Sequence, residues 1–124
     1  MLVLASAAAV VVQQVGLYGP TGPVQLTWFL GADKLQHTIG FALPMFLVLL
    51  TSQIYAARAG RTLRSLWVAA IAGVFALNAV VSELVQARPG SGRSGDVVDA
   101  IADVIGIVLG WVAFRLLASR RVGG

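Results

Sequence analysis

Residues 97–117 read VVDAIADVIGIVLGWVAFRLL. A helix needs about 20 apolar residues to cross roughly 30 Å of hydrocarbon, and this stretch has that length and character. Two acids interrupt it. Asp99 and Asp103 stand one helical turn apart, and Gly106 and Gly110 continue the same face. The stretch therefore predicts a membrane helix with one small-residue face that is acidic at its leading end. Asp103 lies about one and a half turns from the start of the span, roughly 10 Å down at 1.5 Å per residue. Capping cannot account for an acid at that depth. Ionisable side chains inside a membrane cost a few kcal/mol each and mark a functional site by default.

The rest of the chain has the same character. It is 124 residues long, 58% hydrophobic and only 11% charged, whereas soluble proteins carry about 25% charged residues. That length allows one domain, over residues 1–124. Cysteine is absent, which excludes disulfides, thiol catalysis and Cys-ligated zinc. The net charge of +4 is not a nucleic-acid signal, because the basic residues sit in short segments between apolar runs. Eight arginines to one lysine, with abundant Ala, Val and Gly, suggest a high-GC bacterial genome.

Three further spans are predicted, from about Leu2 to Tyr18, Leu35 to Tyr55, and Leu66 to Gln86. The first is short, but it lacks the basic n-region of a signal peptide and reads as a span. Gly19-Pro20-Thr21-Gly22-Pro23 and Pro89-Gly90-Ser91-Gly92 are turn-rich breaks. Arg58, Arg61 and Arg64 make the loop between spans two and three basic, and Arg115, Arg120 and Arg121 close span four. Cytoplasmic segments are enriched in Lys and Arg. With four spans both basic groups fall on one side, leaving only Lys34, Arg88 and Arg93 on the other. The expectation is an all-α, polytopic membrane protein: four transmembrane helices in an antiparallel bundle, both termini cytoplasmic. It is placed in the bacterial cytoplasmic (inner) membrane, with the lipid bilayer as its first partner.

Polar residues gather at one end of this arrangement. Span two opens with Asp33, Lys34 and His37, span three closes with Glu83 and Gln86, and span four opens with Asp96, Asp99 and Asp103. All five acids and the only His and Lys of the chain belong to these ends. On span two the shared face is Asp33, His37, Gly40 and Pro44; on span three it is Ala72, Ala76, Ala79, Glu83 and Gln86. Small residues let membrane helices approach closely, so Gly40, Gly106 and Gly110 are expected packing positions. Pro44 lacks a donor and crowds the carbonyl of Gly40. A kink there would splay the outer half of span two and open a cavity under the cluster, although Pro is common in membrane helices.

These residues form a pattern. Asp33-Lys34-x-x-His37-x-x-x-Phe41 is followed by Glu83-x-x-Gln86, then Arg93-x-x-Asp96-x-x-Asp99-x-x-x-Asp103-x-x-Gly106-x-x-x-Gly110. In that order the motifs resemble the VanZ-like family of small bacterial membrane proteins, over roughly residues 33–110. The family's founding member is linked to teicoplanin resistance. The resemblance implies a role in the cell envelope and supplies no reaction. It departs at Asp103, where the family usually has Asn; an acid there would carry a proton or need a basic partner.

Two readings of the cluster compete. In the structural one, Lys34, Arg88 and Arg93 neutralise carboxylates and fix helix register, while Asp33 and Asp96 cap helices. In the functional one, Asp33, Lys34, His37, Glu83, Gln86, Arg93, Asp96, Asp99 and Asp103 line a ligand site. Lys34, Arg88 and Arg93 could then grip a phosphate or carboxylate of a cell-wall precursor, a glycopeptide or another lipid-linked ligand. The acids would orient them or take the ligand's amines and hydroxyls. An enzyme acting on a lipid-linked phosphate ranks second: carboxylates with one His could hold a cation or do acid–base chemistry. Against it, the chain has no nucleophile or phosphate-loop motif. A proton-coupled transporter or flippase ranks third, because four helices are few, an objection that a homo-oligomer would answer. The sequence assigns no catalytic residue, no metal ligand and no cofactor.

Overall fold

The computed structural model describes residues 1–19, 32–90 and 96–120. Four helices account for their regular structure: α1 Leu2–Tyr18, α2 Ala32–Arg58, α3 Ser65–Gln86 and α4 Val97–Arg120. No strand occurs among the described residues. Within these helices, the segments Lys34–Arg58, Ser65–Gln86 and Val97–Ser119 are long and apolar enough to cross a membrane. The 17 residues of α1 make a shorter apolar helix, about 25 Å long at 1.5 Å per residue.

Local chemistry sets the helix ends. Beyond α2 the Arg61 N–H bonds to Ala56 O at 2.9 Å and the Gly60 N–H to Ala57 O at 3.0 Å. This closing pattern needs a left-handed residue after the helix, and Gly60 supplies it with φ +66°. At the start of α4, Asp96 Oδ1 accepts the Val98 N–H at 2.9 Å, the N-cap role expected of it.

The helices are not arranged as a square. The α2 and α4 helices run parallel and form the central pair, with α3 antiparallel to both. The α1 helix packs antiparallel on α2 and does not reach α4. Ser6 of α1 ties to the far end of α2, with its Oγ 2.7 Å from Thr51 Oγ1 and 3.1 Å from Leu47 O. The two glycines of α4 explain the close central pairing. A Cβ on Gly106 would collide with Thr38 O and lie 2.9 Å from Phe41 Cβ; one on Gly110 would lie 2.5 Å from Ala42 O. Gly40 does not share this role: a Cβ there would meet nothing within 4 Å, so its expected packing function is not found.

Phe41, Met45 and Leu49 are fully buried and centre the core, joined by Phe75, Ala79, Ile107 and Phe114. Phe41 and Phe75 meet edge to face, ring centres 6.4 Å apart. The buried side of α3 is Phe75, Ala79, Ser82 and Gln86; Ala76 is exposed and Ala72 half-buried, so the expected small face is turned partly outward. Val74, Leu77, Val104 and Leu109 stay exposed while Asp99, Asp103, Ser82 and Gln86 are buried. Polar groups inside and large apolar groups outside suit a hydrocarbon surround.

Pro44 is fully buried within α2, which continues on both sides of it. Two grooves lie away from the polar cluster. One runs past Met45, Leu63, Trp111 and Phe114, the other past Val10, Trp67 and Asn78. Neither is the cavity expected beneath Pro44's outer half-helix.

Candidate functional site

The parallel pairing of α2 and α4 builds the site as two rungs. In the outer rung, Lys34 Nζ donates to Asp99 Oδ1 and, at 3.3 Å, to Asp96 Oδ2. In the inner rung, His37 Nδ1 lies 2.7 Å from Asp103 Oδ1, and His37 Nε2 lies 4.0 Å from Asp99 Oδ2. Just below, Thr38 Oγ1 donates to Ala102 O at 3.3 Å. One turn on α2 thus matches one turn on α4. The register holds because Gly106 lets the backbones touch at Thr38, directly under the rungs. Asp103 has zero exposure, and a basic group, His37, is among its partners.

Antiparallel α3 contributes Glu83 from its last turn. Glu83 Oε2 accepts the backbone N–H of Asp96 at 2.8 Å and pins the start of α4. Glu83 Oε1 is buried and has no hydrogen bond among the described residues. Asp96 is the half-exposed rim of the cluster. The Val98 N–H first, and then Lys34, hold its carboxyl below the usual aspartate range. A depressed pKa makes its ionised form favour the fold above the ordinary aspartate value, and that contribution fades as pH falls through the folded value.

The structure therefore brings together Lys34, His37, Glu83, Asp96, Asp99 and Asp103. Gln86 is buried beside them, and its Nε2 donates to Leu17 O of α1 at 3.2 Å, a cross-helix bond of the expected kind. Arg88 is exposed beyond the end of α3. The side chain of Asp33 and all of Arg93 lie outside the described residues.

No family model, curated protein or solved structure matches this chain. The chemistry of the cluster has to be read from its own geometry.

Acids outnumber bases among the described residues of the cluster. Glu83, Asp99 and Asp103 face one another across the helices with Lys34 and His37 between them. Lys34 is held by two carboxylates, so gripping an anionic ligand through Lys34 would mean breaking those contacts. The arrangement suits partners that bring positive charge or hydrogen-bond donors. One grouping was not assigned from the sequence: a ligating atom from each of His37, Glu83 and Asp103 lies within 4.8 Å of the other two. A depth count could have found it. His37 is six residues into α2, Asp103 seven into α4, and Glu83 four from the end of antiparallel α3. Spacing within one helix does not reveal this, because each helix supplies a single ligand.

Proposed function

We propose that this chain is a small multi-pass protein of the bacterial cytoplasmic membrane, VanZ-like in its motifs. In this reading it binds the polar part of a cell-wall precursor or other lipid-linked ligand at the outer leaflet. The observation that carries the proposal is the convergence of Lys34, His37, Glu83, Asp99 and Asp103 from three apolar helices into one polar cluster. Support for the family reading comes from the motif order, whose residues on three separate helices meet here. The acid excess favours a ligand that presents amines, hydroxyls or a bound cation. One alternative draws on a specific contact. The His37–Asp103 pair, at 2.7 Å, has the base-and-orienter geometry of acid–base catalysis on a lipid-linked phosphate. It ranks second because the sequence carries no nucleophile or phosphate-loop motif.

Orientation is the first thing to test. With Ala87 and Thr62 each replaced by Cys in turn, only the Ala87→Cys protein should react with a membrane-impermeant thiol reagent on intact cells. Both positions are exposed, at opposite ends of α3, and the basic loop around Thr62 belongs inside. Labelling at Thr62 from outside would overturn the outward-facing site.

Function is tested by charge removal at constant shape. Glu83→Gln and Asp99→Asn, with His37→Ala, are expected to return a complemented strain to the teicoplanin susceptibility of the strain lacking the gene. Protein level in the membrane should stay near wild type. A cluster that only holds helices together behaves otherwise at His37, since removing one partner of a buried pair costs about 3–5 kcal/mol and abundance falls with function. Retained resistance in both isosteric variants would end the binding-site reading.

A further inference from the structure

We propose that His37, Glu83 and Asp103 bind one divalent metal ion of the Zn2+ or Mn2+ class between α2, α3 and α4. The inference rests on reading the cluster as a site rather than a scaffold, and it names the site's cofactor.

Two observations carry it. The first is the donor set. An imidazole and two carboxylates come from three different helices, with ligating atoms within 4.8 Å of one another. Metal–ligand distances of about 2.0–2.2 Å need those atoms somewhat closer. Mixed nitrogen and oxygen donors with no thiolate suit Zn2+ or Mn2+ better than the all-oxygen shells of Ca2+ or Mg2+.

The second is Glu83. Its Oε2 is fixed by the Asp96 N–H, while Oε1 is buried and accepts no hydrogen bond among the described residues. Native structures rarely leave a buried carboxylate oxygen in that state, and an unseen ion is one of the standard reasons. Glu83 is also the residue that supplies a carboxylate oxygen to the triad.

The outer shell also fits. With Nδ1 of His37 turned to the metal beside Asp103, the ring's Nε2 faces Asp99 Oδ2 at 4.0 Å. A ligating His commonly donates its other N–H to a carboxylate.

Three protein donors leave a coordination position open. A phosphate or carboxylate of the envelope ligand could enter there, so the metal would let an acid-rich site accept an anion that Lys34, already engaged, does not grip.

The test uses the full chain with an affinity tag free of histidine, purified in detergent, stripped with EDTA and titrated with Mn2+ alone. Electron paramagnetic resonance should show about one bound Mn2+ per chain, displaced by Zn2+. Pulsed measurements on the wild type should show a directly coordinated imidazole nitrogen, and His37→Ala should lose that signal. Glu83→Gln and Asp103→Asn should weaken binding by about tenfold or more. Substoichiometric binding, no nitrogen coupling in the wild type, or equal binding by folded His37→Ala and Glu83→Gln proteins would each overturn the metal site. The wild-type nitrogen signal decides the matter even if a variant fails to fold. Failure here with loss of resistance in the charge variants removes the metal and leaves the binding function. Mn2+ binding as described with resistance unaffected by those variants supports the metal site and removes the envelope role.

Discussion

Gly106→Leu should prevent the bundle from assembling. A Cβ at Gly106 already meets Thr38 O and lies 2.9 Å from Phe41 Cβ. One of these atoms is backbone and the other is fixed to it, so no rotamer change relieves the contact. Overpacking a tight core typically costs about 1–3 kcal/mol, occasionally more, when side chains can give way. Here the two helices themselves must separate, and both polar rungs above Thr38 would break with them. We expect a cost beyond that range, read as loss of monodisperse protein in detergent. Gly110→Leu should behave similarly, since its Cβ would lie 2.5 Å from Ala42 O. Gly40→Leu is the control. It occupies the same kind of position in sequence, but its Cβ would meet open space, and it should purify and unfold like wild type. If Gly40→Leu proved as damaging as Gly106→Leu, the parallel α2–α4 contact would be wrong.

That contrast shows what the sequence can and cannot say. The acidic and glycine face of α4 was legible because Asp99, Asp103, Gly106 and Gly110 sit on one helix, where 3.6-residue periodicity alone aligns them. The ends of α1 and α3 were legible from apolar length and flanking Gly and Pro. The α2 helix runs further than its apolar core, from Ala32 to Arg58, because hydropathy does not mark helical turns that project beyond hydrocarbon. Helix neighbours were not legible. A small residue facing lipid costs little, so Ala76 and Gly40 carry the same sequence signal as Ala79 and Gly106. The aromatic contact of Phe75 with Phe41 turns α3, and only the folded bundle reveals it. The site's membership could be read from charge at helix ends. Its wiring could not, because pairing Lys34 with Asp99 and His37 with Asp103 requires knowing that α2 and α4 run side by side in parallel.

Lys34→Met should be the most destabilising single change to the polar cluster. Lys34 holds Asp99, whose side chain is only 6% exposed, and also reaches the half-exposed Asp96. Met keeps most of the stem's apolar volume and removes only the charge. Among the described residues, the carboxylate of Asp99 is then left buried with no basic group closer than His37, whose Nε2 is 4.0 Å away. Losing one partner of a buried pair costs about 3–5 kcal/mol. Lys34 is itself 36% exposed, and solvent screening should bring the loss to the lower end, about 3 kcal/mol. The double variant Lys34→Met/Asp99→Asn removes the orphaned charge and should recover most of that loss, although each single change removes the same contact. Thermal unfolding in detergent, followed by helical circular dichroism, should therefore rank wild type and the double variant above Lys34→Met. Asp99→Asn alone should lie close to wild type, because the lysine it releases can turn to water. This asymmetry would separate the stability of the cluster from its function, since Asp99→Asn is predicted to abolish the proposed envelope function in a protein that still folds. A Lys34→Met protein as stable as wild type would mean that Asp99 is already neutral or solvated.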